Sequence, residues 1–203
     1  MAIKLSKSGD SHKINLSKAS DSLPTVHVNF DWEELKPKAS GFFGQLLQGA
    51  SGGGDADLDL GCMYEMQDGE KGVIQPLGGN FGSKTASPYI FLDRDDRTGA
   101  TDGENMYIFR PDLIKRVMIF GLIYNGAADF KSVQGRVFFT TSKGEEIYLE
   151  LDNPDADRTF CATALVQNTG SNLEIIKEAR YFTGHEEADK YYGFGFRWRA
   201  GSK

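Results

Sequence analysis

The sequence predicts an all-β protein: an antiparallel β-sandwich of two sheets, with calcium-binding loops at one end and little helix. Three observations predict the fold. Short runs alternating apolar and polar residues recur along most of the chain, the period-2 signature of half-buried strands. Turn-forming clusters such as Asp68-Gly69-Glu70, Ser142-Lys143-Gly144 and Asn168-Thr169-Gly170-Ser171-Asn172 separate these runs at hairpin spacing. At 203 residues the chain suits one large β domain, which can bury roughly 70% of its unfolded surface. Residues 1–203 are therefore expected to form one domain, with a Gly-rich insertion at about 36–54.

The elements follow in order. Lys13 to Leu16 is a short strand, and Thr25 to Trp32 alternates cleanly, with Val26, Val28, Phe30 and Trp32 inward. Residues 36–54 break the pattern. Pro37 opens them, Ser51-Gly52-Gly53-Gly54 closes them, and Phe42, Phe43, Leu46 and Leu47 lie between at helical spacing. Such an apolar cluster within residues 40–49 would suit a protein partner or a membrane surface if exposed. An acidic strand follows, then the turn at Gly69 leading to Val73-Ile74-Gln75, and a Gly- and Ser-rich loop over 78–88. Pro88 to Leu92 delivers a second acidic loop and Asn105 to Phe109 leaves it. Val117 to Tyr124 is apolar on both faces, as a doubly covered central strand must be. Arg136 to Thr141 with Glu146 to Leu151, and Phe160 to Gln167 with Leu173 to Phe182, are hairpins. His185 to Tyr192 is one short helix, with His185 at the surface, and Gly193 to Arg199 alternates aromatics with glycine or arginine. Arg197 and Arg199 are expected on a solvated strand face.

The chemistry concentrates in two stretches. Gly54-Asp55-Ala56-Asp57-Leu58-Asp59-Leu60-Gly61 places three carboxylates at two-residue spacing, so all three share one edge or face of a strand. Leu58, Leu60, Cys62 and Tyr64 then point into the core. The second stretch, Asp93 to Glu104, holds five carboxylates in twelve residues: Asp93, Asp95, Asp96, Asp102 and Glu104. Like charges in a row repel, and a hard divalent cation offsets them, since calcium takes six to eight oxygen ligands. Positions two apart on a strand are roughly 6.6 Å apart, so the row of three spans roughly 13 Å. That length suits two adjacent ions, with Asp57 shared. The expected ligands are Asp55, Asp57, Asp59, Asp93, Asp95, Asp102, Glu104 and Asn105, with Asp31 a weaker addition.

Gly53-Gly54-Asp55-Ala56-Asp57-Leu58-Asp59, Asp95-Asp96-Arg97-Thr98-Gly99, Gly103-Glu104-Asn105 and the Gly-Phe pattern near Phe194 and Phe196 resemble motifs of the TerD family. The family comprises tellurium-resistance and chemical-stress proteins, and its TerA-like branch is the more similar. The resemblance implies a calcium-binding β-sandwich associated with tellurite resistance and stress response. Where the family usually closes its second motif with an acid, this chain has Met106.

Charge and cysteines bound the alternatives. Residues 51–105 hold 11 Asp/Glu against 4 Lys/Arg, a net of −7, whereas the whole chain carries −6. The acidic excess sits on the two stretches, which favours a cation and excludes the basic stripe that nucleic acid requires. Cys62 and Cys161 stand far apart in apolar runs, as buried free thiols in a reducing cytoplasm do. No apolar run reaches membrane-spanning length. The acidic segments fail the EF-hand pattern, with Leu60 where glycine belongs and Met66 where the closing Glu belongs. His12, His27 and His185 lack zinc-ligand spacing. The expected function is non-enzymatic calcium binding in a cytoplasmic stress protein. The rivals are a thiol- or metal-dependent enzyme acting on oxyanions, and a scaffold whose calcium stiffens a partner-binding surface.

Overall fold

The computed structural model describes residues 2–16, 23–33, 56–93 and 103–199. Among the described residues, twelve strands form two six-stranded sheets. In chain order they are β1 (Ile3–Lys4), β2 (Ser11–Asn15), β3 (Val26–Asp31), β4 (Asp57–Met66), β5 (Lys71–Ile74) and β6 (Ile90–Leu92). There follow β7 (Glu104–Ile108), β8 (Ile114–Asn125), β9 (Arg136–Thr141), β10 (Glu146–Glu150), β11 (Phe160–Asn168) and β12 (Asn172–Phe182). Sheet A runs β1-β10-β9-β3-β7-β6 and sheet B runs β2-β12-β11-β8-β4-β5. Every named pairing is antiparallel except β1 with β10. One helix, α1 (His185–Tyr192), follows the last strand. The expected sandwich and both expected C-terminal hairpins are present.

Alternation decides which side chains meet. Val26, Val28 and Phe30 of β3 face Leu58, Leu60 and Cys62 of β4 and Val117 and Ile119 of β8 in one apolar core between the sheets. The intervening residues Met118, Phe120 and Leu122 of β8 enter a second apolar layer on the outer side of sheet B, with Met63, Phe160 and Phe182. This layer explains why β8 is apolar on both faces. It is roofed by Ala188 of α1 and by Phe194. Each large side chain so buried contributes roughly 1.5–3 kcal/mol relative to exposure, which holds the C-terminal segment down.

Two local expectations are corrected here. Residues 193–199 form no strand; they lie over sheet B, with Phe194 buried and Trp198 packed against the second layer. His185 is half-buried rather than a surface residue, its ring 5.3 Å from that of Phe120, 4.9 Å from that of Phe160 and 4.9 Å from that of Trp198. The roof over sheet B supplies the partner surface that makes this burial favourable. The proposed insertion at 36–54, with Phe42, Phe43, Leu46 and Leu47, lies outside the described residues.

Candidate metal centre

Leu60 of β4 and Glu104 of β7 meet at one end of the sandwich because of how β4 is paired. Met66 donates its N–H to Glu70 O across the turn to β5. Amides alternate sides along a strand, so the even-numbered residues of β4 aim their N–H groups toward β5. But β5 ends at Ile74, opposite Cys62. The N–H of Leu60 is therefore left beyond the ladder, and a buried donor needs an acceptor. It finds one across the sandwich: Leu60 N–H donates to the Glu104 carboxylate, the first residue of β7 in the other sheet.

Gly103 makes that reach possible. Its φ is +62°, and a Cβ there would lie 2.2 Å from Phe30 O. Only glycine allows the chain to enter β7 so close to the end of β3. Nearby, Trp32 donates its indole N–H to Ala56 O at 3.2 Å, tying the end of β3 to the residue before β4. Asp93 follows β6 and donates its backbone N–H to Asn105 O at 2.7 Å. Asp57 opens β4 opposite Asn125, beside a register shift, and is half-buried.

Burial separates these acids into two kinds. Asp59 is 1% exposed and Glu104 0% exposed, whereas Asp93 is exposed. A buried carboxylate carries a large desolvation cost as an anion. Hard oxygen donors of this kind suit a hard cation rather than zinc or copper. Among the described residues, no three His, Cys, Asp or Glu side chains converge into a metal-holding group. Asp55, Asp95 and Asp102 lie outside the described residues.

Asn105, and Asp93 opposite it, point away from Glu104. Glu104 and Met106 of β7 face inward, so Asn105 faces the outer side of sheet A. There its Oδ1 lies 2.8 Å from His27 Nε2 and accepts from Asn29 Nδ2 at 3.0 Å. Asn105 and Glu104 thus present their side chains on opposite faces. Met106, where the family pattern has an acid, is fully buried in the main core. Asp31 accepts from Arg136 at 2.6 Å, beside Glu33 at 2.7 Å from the same nitrogen.

Both cysteines are buried, and burial pushes both thiols well above the usual range, the effect at Cys161 opposed by Tyr181. A polar concavity of about 640 Å³ lies between β12, α1 and the loop before β11. Its Arg158 is paired with Glu187 at 3.1 Å, and its Arg180 lies 4.4 Å from the centre of the Tyr191 ring. The sequence analysis did not anticipate this cleft, nor the Glu104–Leu60 contact. The unequal lengths of β4 and β5 were the only signal for the latter.

The tellurium resistance protein TerA of Alcaligenes sp is 36% identical over 204 aligned positions, covering 98% of this chain and 58% of that relative. This similarity supports the resemblance to the TerD/TerA-like family. No family model matches the sequence. The chain thus spans little more than half the length of the curated relative it matches. Among the described residues no helix is long and apolar enough to cross a membrane.

Proposed function

We propose that this chain is a calcium-binding, non-enzymatic stress protein acting in tellurite resistance. The observation that carries the proposal is the burial of Asp59 and Glu104 near the end where β4 and β7 begin, with Asp57 opening β4 and Asp93 following β6 at that end. Carboxylates are placed in such surroundings when a cation offsets their mutual repulsion and their desolvation. Calcium fits the donor set, because it accepts many carboxylate and carbonyl oxygens in flexible geometry. When bound it supplies fixed positive charge that draws the acidic loops together. Asp55, Asp95 and Asp102 complete the proposed shell, and two ions are proposed on the strength of the row's length.

The family association supports the link to tellurium, since the TerA relative bears that name. Against the enzyme reading stands the state of the thiols. A reductase needs an accessible thiolate, and neither Cys62 nor Cys161 offers one.

The test is thermal stability with and without calcium. An ion bound only by the folded state adds RT ln(1 + [L]/Kd), about 2.7 kcal/mol at a hundredfold excess over Kd. Saturating calcium should raise Tm in the wild type and raise it less in Asp59→Asn and Glu104→Gln. Glu104→Gln is informative because it keeps an acceptor for Leu60 N–H while removing the charge. An unchanged Tm for metal-free wild type on adding calcium would contradict the proposal.

A further inference from the structure

The two outer faces of the sandwich are treated unequally. Sheet B's outer face is roofed by α1 and Phe194. Sheet A's outer face carries a comparable density of rings with none of the described elements laid over it. Its side chains fall in cross-strand rows that the register fixes. One row runs Phe91, Tyr107, His27, Thr140, Glu146 across β6, β7, β3, β9 and β10. His27 and Tyr107 stack at 4.7 Å between ring centroids, and in the next row Phe138 and Tyr148 stack at 6.0 Å.

We propose that this face is a self-association surface whose occupant is a second copy of this chain, related by a two-fold axis lying along the strands through His27. Charge selects both occupant and axis. At the β6 end of the row, Lys84 holds its ammonium 4.4 Å from the centre of the Phe91 ring. At the β10 end stands Glu146, exposed on the same face. Neither forms an ion pair with a described residue; Asp93, exposed in the next row beside Asn105, is a third such charge, while Lys4 with Glu150 and Arg136 with Asp31 and Glu33 are paired within the chain. His27 is the middle member of the row, so the two ends lie two strands to either side of it, roughly 19 Å apart. A two-fold axis along the strands therefore sets Lys84 of each copy over Glu146 of the other. An axis across the strands would set Lys84 on Lys84, which like charge disfavours.

The centre of the contact suits an interface. Tyr and Phe are enriched at protein interfaces and charged residues are depleted from their cores. Two sheets meeting by such faces pack aligned within about 30°, as the sheets inside a sandwich do. The acidic stretches lie outside this row, so the proposal stands or falls independently of calcium.

Sedimentation equilibrium of the full chain, run with chelator present, tests it. Wild type should show a concentration-dependent dimer in the micromolar range. Lys84→Glu and Glu146→Lys should each raise the dimer Kd about tenfold or more, because each creates like-charge contacts on both sides of the axis. The double variant Lys84→Glu/Glu146→Lys restores opposite charges and should recover most of the affinity. Circular dichroism checks that all variants remain folded, which their exposed positions favour. A wild type that stays monomeric throughout, or a double variant no tighter than the singles, would overturn the proposal.

Discussion

Gly61 stands where the second apolar layer leaves no room for a side chain. A Cβ there would lie 2.3 Å from the Phe120 ring and 2.9 Å from Ile74 O. Gly61→Ala must therefore push a packed ring or the β5 backbone, and should cost about 1–3 kcal/mol. Urea denaturation measures it; a change within about 0.5 kcal/mol would show that Phe120 can step aside. His185 offers a pH test in the same layer. Burial lowers its pKa from 6.5 to about 4. The folded ring thus stays neutral while the unfolded chain takes up its proton near pH 6.5. Stability is then full above about pH 6.5, falls as pH drops toward 4, and levels off below. The total is at most roughly 3 kcal/mol. His185→Phe should flatten that part of the pH profile, and a profile identical to wild type would contradict the assignment. At this scale the sequence was partly silent. Alternation placed Leu58, Leu60, Cys62 and Tyr64 correctly, but nothing local says that His185 meets Phe120, 65 positions away.

The C-terminal segment is held by one carboxylate. Asp189 of α1, itself buried, accepts from Gly195 N at 2.8 Å, Phe196 N at 2.8 Å and Trp198 Nε1 at 2.9 Å. Arg116 of β8 reinforces the hold by donating to Tyr192 O at 2.7 Å while lying 4.2 Å from the centre of the Phe194 ring. Hydrogen bonds to a charged acceptor contribute roughly 1.5–3 kcal/mol each when made in a buried setting. Asp189→Ala should therefore loosen residues 194–198 and cost more than Asp189→Asn, which keeps one acceptor oxygen. Amide exchange at Gly195 and Phe196 reads this out. Equal protection in wild type and Asp189→Ala would remove the carboxylate from that role. Strand existence was legible throughout, because apolar alternation and Gly-centred turns are local signals. The roof was not, because the Gly-Phe pattern resembles a strand until a second apolar layer exists for it to cover. Likewise Asp57 and Asp59 were legible as acids on one strand. The reach of Glu104 to Leu60 was not, since it depends on β5 ending two residues short of it.

At the scale of the whole molecule, Asp57, Asp59, Asp93 and Glu104 stand at the end where β3 and β6 finish and β4 and β7 begin, whereas Glu65, Asp68 and Glu70 stand at the other end of β4. Sheet B owes its apolar roof to α1 and Phe194, while sheet A presents an aromatic face. Gly103 is the backbone key to the end where β7 begins: Gly103→Ala should displace Glu104 and lower calcium affinity as well as stability, and unchanged affinity would separate the glycine from the site. The most direct measurement is a calorimetric titration of calcium into demonstrably metal-free protein. The account predicts saturable binding of two ions per chain, with Asp57→Asn weakening both and Asp59→Asn mainly one. A folded, metal-free chain that takes up calcium with no saturable heat would contradict it.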